Sequence, residues 1–425
     1  MEHFLLLATV ALGLVVVFGF INEKLTHLTY EIALLLFSAV AGIIVTAIWA
    51  GTKGTGIADF LEGVQVFDIE RFLMDGVLCF MLFAGSRHLR LADFRKDAKN
   101  ITILSILATL LGNLFYGFLF FVVVRILGLD FSLPLCLMIG SIVAPTDPIA
   151  ATSILKKFGL PKRTGFLMEA ESLLNDGVGV ALFVVFSGMV SVSHAGKNQG
   201  FLVIMGREIF GAVLIGTVVT IIGFQIFKRT ADNTRRGFLS LFSVAVSYLL
   251  CEKLECSGAI ASVVCGLVFS YLTERAGWKN AASPELVEFD AFWDILDTLC
   301  NSVLYVILGL TFVRVLQMPM MIVFCVAAIL LNLIARFGSV WAGTWLMGRL
   351  PDGYTKERFA ALFTWGGLRG GLSVALAMST ASMVSGDDYH IILGCTYAIV
   401  FFTTVVQGLT MRKVYEKLTP QRTRA

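Results

Sequence analysis

Charge is what this sequence has least of. Of its 425 residues, 15% are charged and 57% are hydrophobic, against roughly 25% charged in an average soluble domain. A chain so long and so poor in charge cannot hide its apolar surface in one water-exposed fold. The alternating ten-residue strands of a membrane barrel are missing as well. Apolar runs instead recur at intervals of about 20 to 30 residues, which describes an all-α polytopic membrane protein. Metal-type cysteine spacing is absent too: Cys79, Cys136, Cys251, Cys256, Cys265, Cys300, Cys325 and Cys395 are scattered, with no C-x-x-C. They read as small buried apolar side chains, although Cys251 and Cys256 flank an expected outer loop and could pair. The first apolar run, His3–Phe20, carries Glu2 where a secretory leader has Lys or Arg, and no A-x-A site follows. It is read as a span.

Thirteen spans are predicted, near 3–21, 30–49, 71–86, 99–126, 132–155, 163–192, 201–227, 237–254, 256–272, 287–313, 319–347, 358–384 and 390–411. The basic residues give this topology an orientation. With the N-terminus outside, the inner loops, the span ends facing them and the tail from 412 hold 24 of the 33 Lys and Arg, and the outer connections with their span ends hold seven. Positive-inside insertion predicts that asymmetry, so the C-terminus is expected in the cytoplasm. The longest outer connection, Ala50–Glu70, is partly amphipathic through Phe60, Val64 and Phe67. The tail, 412–425, is short and basic, as suits a segment facing anionic lipid. No nucleotide-binding or calcium-binding module is expected within these residues, and no nucleic-acid partner.

Polar residues inside apolar spans are costly and usually line a cavity. Proline is scarce, eight in all, yet Pro145 and Pro148 lie three residues apart in the fifth span and bracket Thr146-Asp147. Each proline lacks an N–H and clashes with the carbonyl four residues back, so Ser141 and Ala144 lose their helical partners. A break in mid-membrane is predicted, where freed carbonyls and half-helix ends suit a cation. In the sixth span, Glu171, Ser172, Asn175 and Asp176 stand at i, i+1, i+4 and i+5. Glu171 and Asn175 share one face; Ser172 and Asp176 share another about 100° round. Arg336 in the eleventh span and Arg369, within WGGLRGG (Trp365–Gly371) in the twelfth, need partners. Measured from the inner ends at 1.5 Å per residue, Asp147, Asp176 and both arginines lie roughly 13–20 Å deep, near the middle of a core about 30 Å thick. Glu171 is expected to pair with Arg336, and Arg369 to sit by the negative helix ends at the break. Asp176 is then left without a permanent partner. An unpaired carboxylate in a partly desolvated cavity takes up a proton more readily and can hold a proton or a small cation, but not both.

These motifs resemble the monovalent cation:proton antiporters of the bacterial NhaP and animal sodium/proton exchanger type. T-D-P at Thr146–Pro148, E-S-L-L-N-D at Glu171–Asp176 and G-G-L-R-G at Gly366–Gly370 follow that family's order and spacing. Cys256–Leu267, Phe292–Leu310 and Ala335–Val340 agree more weakly, and the match covers essentially the whole chain. The resemblance implies two inverted six-helix repeats with crossed, discontinuous fifth and twelfth helices. It implies a homodimer, with a core formed mainly by 71–192 and 256–272 with 319–384, moving against a dimer domain of the remaining helices. It also implies that Asp176 carries the ion or the proton, that Ser172, Asp147 and Thr146 complete a Na⁺ site, and that Glu171 with Arg336 stabilises the core. Asn175 before Asp176, in place of a second aspartate, is similar to the electroneutral branch. One departure is plain: where many members have a glutamate in the third span, this chain reads Phe83-Ala84-Gly85, and Asp75 is about 13 Å away along a helix.

The expected function is secondary exchange of Na⁺, or Li⁺, for H⁺ across a bacterial inner membrane, electroneutral, with no cofactor and no enzymatic step. A K⁺/H⁺ exchanger of the same fold is the alternative. A gated cation channel would need a repeated filter, which is missing. An intramembrane aspartyl hydrolase would need paired acids, whereas Asp147 sits at a helix break and Asp176 lies beside an amide. His194 and His390, in outer loops, are the histidines placed to sense external pH.

Overall fold

The computed structural model describes residues 2–51, 77–87, 91–147, 151–152, 155–156, 158–195, 201–277, 284–315 and 321–419. Among them every long element is a helix, in the order α1 (Glu2–Ile21), α2 (Tyr30–Gly51), α3 (Leu78–Ser86), α4 (Leu91–Thr102), α5 (Thr109–Ile126), α6 (Leu133–Ile142), α7 (Lys162–Ala195) and α8 (Phe201–Arg229). There follow α9 (Asn233–Lys253), α10 (Gly258–Arg275), α11 (Pro284–Val315), α12 (Met321–Leu346), α13 (Lys356–Trp365), α14 (Gly371–Met378), α15 (Gly386–Phe401) and α16 (Gly408–Leu418). Wider π-type turns join α4 to α5 over Ile103–Ala108 and α15 to α16 over Phe402–Gln407.

Among the described residues, eight helical stretches are long and apolar enough to cross a membrane. Their outward faces carry large apolar side chains: Val16 is 69% exposed, Phe210 76% and Ile334 58%. Apolar surface of that kind belongs against hydrocarbon, and this is an integral membrane protein. Starts of the helices are cut by short polar side chains at the N-cap. Ser132, Asp232, Ser257, Thr355 and Ser385 each accept a hydrogen bond from a first-turn backbone N–H.

Packing places α2 along α11, and α10 among α3, α8 and α9. The other helices build the site: α6 lies between α5 and α7, and α12 packs on α5, α13 and α15. The two shorter apolar helices, α6 and α14, are halves of interrupted spans. After Ile142 the chain leaves the helix and runs without helical structure to Asp147; after Trp365 it does the same to Gly370. The two stretches cross, joined by an antiparallel bridge in which Asp147 N–H donates to the Leu368 carbonyl at 2.7 Å. The crossed, discontinuous fifth and twelfth segments are therefore present.

One expectation differs in form. The stretch from 412 was read as a tail, but α16 continues as helix to Leu418. Met411 and Tyr415 are buried, and the Tyr415 hydroxyl donates to the Gly159 carbonyl at 3.0 Å. An apolar face at helical spacing docks this segment onto the loop before α7. Cys251 and Cys256 are free, buried thiols. Pro148, Asp75 and the amphipathic stretch holding Phe60, Val64 and Phe67 lie outside the described residues.

Candidate functional site

The site is built where α7 runs past the first break. Asn175 does most of the holding. Its Nδ2 donates to Glu171 Oε1 at 2.7 Å and to Thr146 Oγ1 at 2.7 Å, while its Oδ1 accepts from the Thr146 backbone N–H at 3.2 Å. One buried amide thus meets both the side chain and the backbone of the residue between Pro145 and Asp147. Ser172, one turn away on α7, donates its hydroxyl to the Thr146 carbonyl. Backbone groups that a helix would have satisfied internally are met by α7 side chains instead, as buried polar groups require.

Glu171 faces the other way as well. Its Oε2 accepts from Arg336 Nη2 at 2.9 Å, with both side chains at most 6% exposed. Arg369 grips the break from the second crossing strand. Its Nη1 donates to the carbonyls of Ala144 at 2.5 Å and Pro145 at 2.8 Å, and its Nη2 donates to Asn332 Oδ1 at 2.9 Å. A guanidinium carries five donors in a fixed fork, which suits carbonyls left unpartnered at the end of α6. All three of these oxygens belong to neutral groups.

Two glycines make the crossing possible. A Cβ on Gly370 would stand 3.1 Å from Asp147 Cβ and 3.3 Å from its Oδ2, and one on Gly179 of α7 would stand 2.9 Å from Pro145 Cδ. Both lie where backbone must approach the broken segment closely.

Asp176 is different from its neighbours. Among the described residues it has no hydrogen bond and no ion pair. The charges acting on it are those of Asp147, Glu171 and Asp297, of like sign, and of Arg369, of opposite sign. The Asp147 carboxylate takes a hydrogen bond from Tyr305 of α11, whose hydroxyl also meets Thr404. Among the described residues no group of three His, Cys, Asp or Glu is spaced to hold a resident metal ion.

All eight residues singled out from the sequence come together here: Thr146, Asp147, Glu171, Ser172, Asn175, Asp176, Arg336 and Arg369. Several others at the site escaped that inspection. Asn332 stands one turn before Arg336 on α12, on the arginine's own face. Thr403 accepts from the Arg369 backbone N–H at 3.0 Å and Thr404 donates to its carbonyl at 3.3 Å; both lie in the π-type turn, and nothing in an apolar run marks such a turn. Asp297 and Tyr305 lie about three and five turns into the apolar stretch of α11, Leu286–Leu310. Ala84 is buried, so the third span offers no carboxylate at that position.

The family described as "Sodium/hydrogen exchanger, transmembrane" matches residues 7–417. The chain is 28% identical over 423 residues to the Na⁺/H⁺ antiporter NhaP of Pseudomonas aeruginosa, covering 95% of this chain and 97% of that protein. It is 33% identical over 294 residues to the Na⁺/H⁺ antiporter NhaH of Halobacillus dabanensis, covering 68% and 70%. In three dimensions it is similar to the sodium proton antiporter MjNhaP1 of Methanocaldococcus jannaschii at pH 8, with a TM-score of 0.75, 20% identity and 98% of each chain covered.

Proposed function

The chain belongs to the sodium/hydrogen exchanger family, and from that premise we propose that it exchanges Na⁺ for H⁺ across the membrane, one for one, with Asp176 carrying either. One observation carries the proposal: of the three α7 and break carboxylates, Asp176 alone has no hydrogen bond or ion pair among the described residues. Glu171 is held by Arg336 and Asn175, and Asp147 by its backbone bridge and Tyr305.

In the proposed cycle, the Asp176 carboxylate binds Na⁺ with the Ser172 hydroxyl, the Thr146 carbonyl and Asp147 nearby. Ser172 and Thr146 already meet each other, so cation binding exchanges one O–H···O bond for two oxygen contacts. Protonation of Asp176 removes the charge the cation needs and releases it. Because Asn175 is an amide with both ends committed, a single exchangeable charge is available, which supports electroneutral exchange. Alternating access then follows from movement of a core carrying the crossed breaks against the other helices, within a homodimer in a bacterial plasma membrane. K⁺/H⁺ exchange by the same site is the second reading, since at Ala84 no third-span carboxylate adds to the cation's ligands.

The test uses proteoliposomes with an imposed pH gradient and a pH-sensitive dye. Adding Na⁺, Li⁺ or K⁺ should dequench the dye for wild type and leave Asp176→Asn silent. A wild type that moves no protons with any cation, or a fully active Asp176→Asn, would sink the proposal. A response to K⁺ alone would select the second reading.

A further inference from the structure

One face of α5 presents Thr109, Gly112, Asn113 and Tyr116, at i, i+3, i+4 and i+7. With Arg336 and Arg369 these residues enclose a cavity of about 20 Å³, against the back of the first break at Val143 and Ala144. Five polar atoms of the residues lining it are buried and met by no other group among the described residues: Thr109 Oγ1, Asn113 Oδ1, the Tyr116 hydroxyl, Arg336 Nε and Arg369 Nε. Native interiors leave few such atoms unmet, and leaving several together in one place is costly.

The chemistry of the five selects the occupant. The two guanidinium N–H groups only donate. Asn113 Oδ1 only accepts, and the amide is held in this orientation by Nδ2, which donates to the Leu137 carbonyl at 3.0 Å. The two hydroxyls do either. A water accepts from both arginines and donates to Asn113 and to one hydroxyl, which uses all four of its bonds. A halide would find donors but would face the Asn113 oxygen; a cation would face two guanidinium groups. Space of this size admits one water, which needs about 10–15 Å³ by the same measure.

We propose that this cavity is a built site for one ordered water that ties Arg336 to Arg369, and that Thr109, Asn113 and Tyr116 are thereby positioning residues for ion exchange. Arg336 acts on the break through Glu171, Asn175 and Thr146; Arg369 acts on it through Ala144 and Pro145. The water joins the two clamps that hold the same short stretch of backbone. The positioning half of the proposal rests on the Na⁺/H⁺ reading above, whereas the water itself does not.

The experiment is radiolytic footprinting of the full chain in proteoliposomes containing H₂¹⁸O, paired with transport. Tyr116 should take up ¹⁸O faster than Tyr397, which is equally buried at 1% exposure, and Asn113→Leu should abolish the difference. Equal labelling of the two tyrosines in wild type overturns the water site. Tyr116→Phe, which keeps the ring, or Thr109→Val, whichever removes the hydroxyl that the water meets, should raise the apparent KM for Na⁺ about three- to tenfold, the usual effect of one lost hydrogen bond, with kcat little changed and the pH profile displaced. Unchanged KM and pH profile in both variants overturn the positioning role. Replacing chloride by gluconate should alter neither labelling nor transport, and a chloride requirement would overturn water in favour of an anion. If the protein exchanges no ions at all, the labelling still decides the water site alone.

Discussion

At the scale of single residues, the buried ion pair and the unpaired aspartate have opposite fates on substitution. Removing one partner of Glu171–Arg336 leaves an uncompensated buried charge, which costs about 3–5 kcal/mol. Glu171→Gln is therefore expected to lower the thermal unfolding midpoint in detergent strongly, and Glu171→Leu with Arg336→Met to recover much of that loss. Scanning fluorimetry of the two proteins checks it: a single variant as stable as wild type would deny the pair its structural role. Asp176→Asn, by contrast, should unfold no earlier than wild type, because it removes a charge with no partner. Asp147, Glu171, Asp176, Arg336 and Arg369 were legible from sequence because a charged residue in an apolar run needs a reason. Thr403, Thr404 and Asn332 were not, since hydroxyls and amides cost little in a helix and give no such signal.

At the scale of elements, the broken segments are the part of the fold that sequence told best. Proline pairs and a glycine-rich heptapeptide are local causes of a local break, and each acts regardless of what packs around it. Their crossing is a tertiary fact: the bridge from Asp147 to Leu368 joins residues far apart in sequence. Gly370→Ala tests it. The added methyl would sit 3.1 Å from Asp147 Cβ, so one strand must shift, and exchange is expected to fall at least about tenfold, as small misplacements at reacting groups do. Gly386→Ala, where nothing lies within 4 Å, should exchange like wild type. Equal activity in the two variants would mean that the crossing tolerates displacement. A milder effect belongs to α13, whose Thr355 N-cap accepts from Arg358 N–H at 3.3 Å: Thr355→Ala should cost about 1 kcal/mol in unfolding measurements and leave the KM for Na⁺ unchanged.

At the scale of the whole molecule, periodicity and the distribution of Lys and Arg set out a polytopic helical protein, and the helices fall where the apolar runs are. What those patterns could not convey is which helices share a site. Asn113 and Tyr116 on α5, Tyr305 on α11 and Arg369 between α13 and α14 come from three distant parts of the chain, and only packing brings them to one level. The charge count of that assembled site leads to a prediction about transport as a whole. If Asp176 is the single group that exchanges a proton for a cation, the loaded core carries the same charge in both directions of the cycle. The membrane potential acts on net charge moved, at about 2.3 kcal/mol per elementary charge for each 100 mV, which is a bias of roughly fifty-fold in the equilibrium. Proteoliposomes clamped with valinomycin at about 100 mV of either sign should therefore reach the same final Na⁺ gradient for a given pH gradient, on the one-for-one count. A final gradient that shifts with voltage would require a second moving charge. Asp147 and Asp297, the acids besides Glu171 whose charges act on Asp176, would be the residues to substitute first.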